Sequence, residues 1–269
     1  MPTDVPTLQP VAPGQEIASL TAAYVTFYVL AATRVLAAIT FNPLLGSARV
    51  PMLGRVGIGL FATLVLFPIG GPYAAPAQVG PLELGGELMV GLLAGFGITL
   101  IFGAISFMGG LIGINSGFSF AQTINPMFDQ HNVGGGVVET FISAFSLLVF
   151  VQINGHHIFL AGLHELFAVV PVSTVPLVPG TAEKLAEVSG ALFVAALKIS
   201  FPVLAALLLA DLGLAVLARV APQMNLFALG LPAKMAIGLA ALTVALPVML
   251  PRITALFRAV PDSMLLLAR

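Results

Sequence analysis

A chain of 269 residues with only 8% charged and 59% hydrophobic residues cannot clothe a water-soluble surface, where about a quarter of residues are charged. It reads as an integral membrane protein. A net charge of −1 with scattered basic residues leaves no nucleic-acid footprint, and the absence of cysteine excludes a disulfide framework, a thiolate nucleophile and a cysteine metal site.

Residues 1–16 hold Pro2, Pro6, Pro10 and Pro13 and read as a flexible lead-in. They contain Asp4 and Glu16 but no Lys or Arg, so they lack the positive n-region of a secretory signal. The apolar segment behind them is expected to stay in the mature chain. Apolar stretches bounded by charge or by Pro and Gly clusters then predict six helical segments, over 17–41, 56–67, 83–108, 137–170, 182–220 and 226–260. The connections near 42–55, 68–81 and 171–180 are rich in Pro and Gly, as chain reversals are. The expectation is one all-α membrane-embedded domain over 17–260, with 261–269 as a C-terminal tail.

Several segments carry breakers. Asn154-Gly155-His156-His157 interrupts the fourth, Pro202 the fifth, and Pro232, Pro247 and Pro251 the sixth. Backbone groups freed at such breaks are costly in hydrocarbon unless something satisfies them, so these helices need partners from this chain or from others around it. The positive-inside rule puts Arg49 and Arg55 in the cytoplasm, and Arg219 and Lys234 with them. Glu83, Glu87, Glu165, Glu183 and Glu187 then fall on the opposite side. The scheme fails twice: the 109–136 connection should be cytoplasmic but has no Lys or Arg, and Arg252, Arg258 and Arg269 fall outside.

The run from Leu88 to Phe128 has no charge at all and is about twice the ~20 residues that one span needs. From Gly109 onward it is rich in Gly, Asn, Ser and Pro, which predicts a helix followed by irregular, protein-sheltered backbone. Gly109, Gly110, Gly113 and Gly117 fit either a small-residue face for close helix packing or a flexible re-entrant loop. Asn125 before Pro126 is biased away from helix. Phe118 and Phe120 suit either apolar stoppers in a narrow passage or ordinary packing, with Gly134-Gly135-Gly136 as the far hinge.

Asn154-Gly155-His156 lies inside an apolar stretch, where an amide and an imidazole can bind metal or relay protons. His131, His156, His157 and His164 have no recognised ligand spacing, so the favoured reading is polar groups capping a helix break, with no metal and no cofactor. Arg34, Lys198 and Asp211 sit at membrane depth and are functional suspects by default. Inter-subunit hydrogen bonding is preferred for them over a transport site. Asp211 and Arg219 can share a helix face without pairing directly. No nucleophile elbow, zinc helix or Walker-type loop is present, so the chain reads as a non-enzyme.

Four segments together resemble the FliR family of flagellar export-gate proteins. Arg34-Val-Leu-Ala-Ala-Ile with Asn42-Pro43-Leu-Leu, Val50-Pro51 and Arg55 is similar to that family's first helix and connection. Gly109-Gly-Leu-Ile-Gly, Asn115, Gly117-Phe118-Ser119-Phe120-Ala and Asn125-Pro126 resemble its central loop. Asn154-Gly155-His156 matches its Asn-Gly-His element, and Ala221-Pro222-Gln223-Met224-Asn225 with Gly230-Leu-Pro232-Ala-Lys234 matches its C-terminal signature. The order holds from about Ala18 to Pro251.

The resemblance implies an all-α membrane protein of bent and broken helical hairpins, packed in a hetero-oligomeric helical export gate. It implies a non-enzymatic core subunit of the flagellar type III export apparatus in the bacterial inner membrane. A single copy would join FliP- and FliQ-like subunits, alongside FlhB- and FlhA-like components, and unfolded flagellar proteins would pass through the pore. The segment from Gly109 to Gln130 is where the resemblance places the plug. Arg34, Pro43, Asn154, Gly155, His156, Lys198, Asp211, Pro222, Gln223, Asn225, Pro232 and Lys234 take structural or inter-subunit roles. Family members often carry Asp where Asn125 stands, so a mechanism resting on an acid there does not transfer directly. Two alternatives are the homologous injectisome subunit, with other cargo, and a secondary transporter, which should show an internal two-fold repeat; none is visible.

Overall fold

The computed structural model describes residues 13–43, 50–68, 79–119, 136–174, 180–223 and 225–268. Among these residues the structure is all helix: α1 Pro13–Thr40, α2 Met52–Leu66, α3 Pro81–Ser116, α4 Val137–Gln152, α5 Gly155–Val169, α6 Thr181–Val220, α7 Leu226–Arg258 and α8 Val260–Ala268. Four helical stretches, in α1, in α3, in α6 and over residues 229–267, are long and apolar enough to cross a membrane. The bent pair α4–α5 makes a fifth if counted as one span.

The organising element is α3, which packs against α1, α4, α6, α7 and α8. Gly80 caps its start, with Pro81 in the first turn and Glu83 facing the positive end of the helix dipole. Its middle carries the deepest apolar side chains, including Ile98, Ile101, Ile105, Met108 and Ile112. Small residues let its neighbours approach. A Cβ on Gly91 would meet the backbone of Arg34, and one on Gly95 would stand 2.5 Å from the carbonyl oxygen of Ala38, so α1 lies almost backbone to backbone against α3. A Cβ on Gly97 would be 3.3 Å from Ser263 Oγ, and one on Gly162 of α5 would be 3.0 Å from Pro261 Cα. Those two glycines seat α8. The stretch read from sequence as a tail is thus a packed helix, with Met264 and Leu267 buried.

Two sequence expectations about breaks turn out differently. At Asn154 the chain does break: its φ of 56° and ψ of 40° are left-handed, and α4 and α5 meet at a 69° bend. Gly155 is then pressed onto the Phe150 ring, where a Cβ would collide. The prolines do not end their helices. α6 runs through Pro202, and α7 through Pro232, Pro247 and Pro251. A proline removes one N–H and strains one turn. In helices of 40 and 33 residues, the remaining ladder and the packed neighbours carry the axis through.

α6 and α7 form an antiparallel hairpin. Asp211 pairs with Lys234, Gly230 meets Leu214, and Gly238 meets Leu207. This hairpin touches α3 along one edge, and the rest of it is exposed: 28% and 22% of the apolar windows in 181–220 and 229–267 are buried, against 50% in α3.

Candidate functional site

Residues 109–116, expected from their glycines to be irregular, are α-helical, and the helix ends at Gly117 with φ 84° and ψ 0°. Glycine adopts this left-handed conformation at no steric cost, and the N–H of Gly117 donates back to the carbonyl of Ile114 at 3.2 Å. Each interior glycine costs about 1 kcal/mol of helix propensity. Here the loss is offset by packing. A Cβ on Gly109 would stand 2.8 Å from Glu139 Cα, and one on Gly113 would be 3.5 Å from Val138 Cβ, so the first turn of α4 lies directly on α3. The small-residue face is therefore the reading that the geometry supports for Gly109 and Gly113.

Asn115 is exposed, and its amide donates to Leu111 of its own helix at 2.8 Å. Past Gly117, the N–H of Ser119 reaches back to the Gly113 carbonyl at 3.4 Å. Phe118 is half-buried against the core and lines an apolar cavity of about 240 Å³ with Ile112, Val138, Phe141 and Leu242. Phe120, Asn125, Pro126 and the first two residues of the Gly134–Gly136 hinge lie outside the described residues.

Among the described residues, one charge pair is fully buried. Arg34 on α1 and Glu87 on α3 have no exposed side-chain surface, and Nε of Arg34 donates to Glu87 Oε2 at 2.5 Å. The same guanidinium donates to the carbonyls of Val170 at 2.6 Å and Pro171 at 3.4 Å, just past the end of α5. Those carbonyls have no partner within a helix, and the negative end of the α5 dipole favours a cation there. Glu87 Oε1 accepts the N–H of Ser173 at 2.7 Å, and Ser173 sits at φ 69° to offer it. Phe167 closes the site, with its ring centroid 4.3 Å from Arg34 Cζ. Four segments are thus fastened at one point: α1, α3, the end of α5 and the turn after it.

Against this geometry, the model of a family described as bacterial export proteins, family 1, matches residues 25–260. The flagellar biosynthetic protein FliR of Pectobacterium carotovorum is 30% identical over 234 residues, covering 85% of this chain and 87% of that protein. FliR of Bacillus subtilis is 30% identical over 228 residues, covering 82% and 86%, and that of Escherichia coli 26% over 235 residues, covering 85% and 87%. The chain belongs to the FliR family. It is an all-α membrane member of the bacterial flagellar export proteins.

The FliR-like motif residues fall into separate places rather than one centre. Pro43 follows the buried Asn42 in the turn after α1. Asn154 and Gly155 make the α4–α5 bend, with His156 half-buried and its ring 4.4 Å from that of His157. Pro222 and Gln223 are exposed in the turn between α6 and α7, and the carbonyl of Asn225 accepts the N–H of Leu229 at 3.2 Å. Pro232 is exposed within α7.

Asp211 and Lys234, expected to bond across subunits, pair with each other at 2.7 Å and close the hairpin from within. Lys198 lies on the exposed apolar face of α6, between Leu197 and Phe201. Among the described residues, no group of three His, Asp or Glu is placed to hold a metal ion.

Two residues that now matter were not singled out in the sequence. Glu87 was read as a topology marker, and Glu139 was passed over. The signal available was an acid within an apolar helix, Glu139 alone on α4 and Glu87 one turn beyond Glu83 on α3, which needs a partner wherever it is buried.

Proposed function

We propose that this FliR-family chain is a non-enzymatic core subunit of the flagellar type III export gate. It assembles with FliP- and FliQ-like subunits in the bacterial inner membrane around a pore for unfolded flagellar proteins, with FlhB- and FlhA-like components beside it. The observation that carries this reading is the α6–α7 hairpin. Its helices have 40 and 33 residues, or about 60 and 50 Å, well beyond the ~30 Å of a hydrocarbon core. Phe201, Leu208, Leu209, Leu212 and Val216 are all exposed on it. A hairpin that overshoots the bilayer cannot hide such a face in lipid along its whole length, so other subunits must cover part of it.

The barrier is assigned to the connection between Gly117 and Gly136. α3 and α4 pack closely at Gly109 and Gly113, against Glu139 and Val138, which gives the connection between the two helices a fixed base. Phe118 lines the apolar cavity beside that base. Passage of an unfolded chain requires displacing this connection while the helices beneath it stay in place. The driving force comes from the proton gradient and a separate ATPase, since nothing in the sequence reads as a nucleotide-binding loop.

The flagellar names of the relatives above favour flagellum over injectisome. Deleting residues 117–120 is expected to leave the assembly intact and to make membranes carrying it leak small ions. An assembled deletion variant as ion-tight as the parent refutes a barrier at this place.

A further inference from the structure

Between Glu187 and Asp211, α6 carries a single charge, Lys198. At 1.5 Å per residue that lysine stands about 17 Å from the first acid and about 20 Å from the second. The apolar run between the two acids, about 35 Å long, matches the ~30 Å of a hydrocarbon core, so Lys198 sits at mid-depth. Its side of the helix is the bare one. Leu207 and Leu214 meet α7 at Gly238 and Gly230, Asp211 meets Lys234, and Ser200 and Val203 are buried. At 100° per residue all of these lie about 140° or more round the axis from Lys198. The exposed neighbours of Lys198 are Val194, Leu197, Phe201 and Pro202, all apolar. Among the described residues no carboxylate pairs with its ammonium.

The backbone at the same residue carries a second polar group that the helix does not serve. The carbonyl of residue 198 would accept the N–H of residue 202, but residue 202 is a proline inside the helix and has none. The hydroxyl of Ser200 donates to the Leu197 carbonyl at 3.0 Å instead. In hydrocarbon an ammonium without an acceptor and a carbonyl without its donor are both costly. Snorkelling relieves a lysine near a helix end, but from mid-depth a four-carbon stem reaches neither interface, which puts phospholipid phosphates out of range. What fits is protein at that depth. It needs an acid opposite the ammonium, an apolar surface over Val194 and Phe201, and a hydroxyl or amide N–H for the carbonyl.

We propose that Lys198 anchors a neighbouring subunit, which lays against this face of α6 an apolar helix carrying an Asp or Glu at the level of Lys198. This rests on the export-gate reading above and gives the face that reading leaves to other subunits a definite partner chemistry. Apolar contact alone allows many registers of similar buried area. One ammonium meeting one carboxylate allows one, which is the best-attested use of a buried ion pair.

The test is a competition. Tagged variant and untagged parent, both full chains, are co-expressed with FliP- and FliQ-like subunits, and their ratio in the intact purified complex is compared with their ratio in the membrane. Lys198→Met, which leaves the partner's acid unpaired, is expected to be incorporated at least about tenfold less than the parent. Lys198→Arg, which keeps the cation, is expected to stay close to it. A lysine that merely faced lipid would behave in the opposite way, because methionine takes a charge out of hydrocarbon. Lys198→Met incorporated as well as the parent therefore overturns the proposal. So does a phospholipid that is weighed with the intact parent complex and lost with Lys198→Met, since the counter-ion is then a headgroup. The chain has no cysteine, so Lys198→Cys supplies a unique thiol. Paired with cysteine in place of each Asp or Glu on the apolar helices of cysteine-free partner subunits, it should be joined to one of them by a short bifunctional thiol reagent. No crosslink at any of these acids overturns the proposal, and this arm decides even if Lys198→Met fails to accumulate. Absence of any complex for the parent chain overturns the export-gate reading instead, while a parent complex that takes up Lys198→Met freely overturns only this inference.

Discussion

Replacing Arg34 by Ala would strand more than a salt bridge. Glu87 would stay buried with only the Ser173 N–H beside it, and the Val170 carbonyl would lose the guanidinium donor, while the Pro171 carbonyl would keep the hydroxyl of Thr174. Removing one partner of a buried pair costs about 3–5 kcal/mol, and the orphaned Val170 carbonyl adds about 1–3 kcal/mol. Against a typical total of about 5–15 kcal/mol, Arg34→Ala is expected to abolish accumulation of folded chain, and Glu87→Ala to come close. The informative variant is the exchange Arg34→Glu with Glu87→Arg. If the pair acted only as two opposite charges, the exchange would restore stability. With the geometry found here it would not, because a carboxylate at position 34 would face two carbonyl oxygens and a guanidinium at position 87 would face an N–H. The assay is the thermal melting of detergent-solubilised chain, followed by the folded fraction remaining monodisperse. An exchange variant that melts within a few degrees of the parent refutes the idea that Arg34 serves as the cap of α5.

The Asp211–Lys234 pair should behave in the opposite way. Its side chains are 44% and 21% exposed, so losing either is expected to cost below about 1 kcal/mol, and here the exchange Asp211→Lys with Lys234→Asp should recover most of it, as read by the same melts. Gly109→Val would push α4 off α3, costing about 1–3 kcal/mol by overpacking, whereas Gly103→Ala, where a Cβ meets nothing within 4 Å, should stabilise by up to about 1 kcal/mol. Asn154→Gly keeps the left-handed residue that makes the α4–α5 bend and should melt at or above the parent, while Asn154→Ala loses about 1 kcal/mol.

What could be read from the sequence was what depends on local composition. Membrane embedding followed from charge density, and the α4–α5 break from Asn154-Gly155, because a residue tolerant of the left-handed region beside a glycine is a local property. The start of α3 was placed at residue 83, two residues late, and its end at 108, well before Ser116. Glycines 109, 110 and 113 look like helix breakers until one sees α4 lying on them, and that partner is tertiary. The prolines misled for the same reason in reverse, since packing along α6 and α7 holds the axis through them. Arg34 was flagged by depth alone. Its partners were beyond reach, because Glu87 lies 53 residues away and the Val170 carbonyl 136 away, and a backbone carbonyl leaves no mark in the sequence. Asp211 and Lys234 become neighbours only once the α6–α7 register is known.

The most direct test of the account is the mass of the native assembly. Co-expressed with FliP- and FliQ-like proteins, extracted in mild detergent and weighed intact, this chain should appear as a single copy within a closed hetero-oligomer, with no appreciable free monomer. A stable, monodisperse monomer that keeps its α6–α7 face uncovered in the presence of both partners would contradict it.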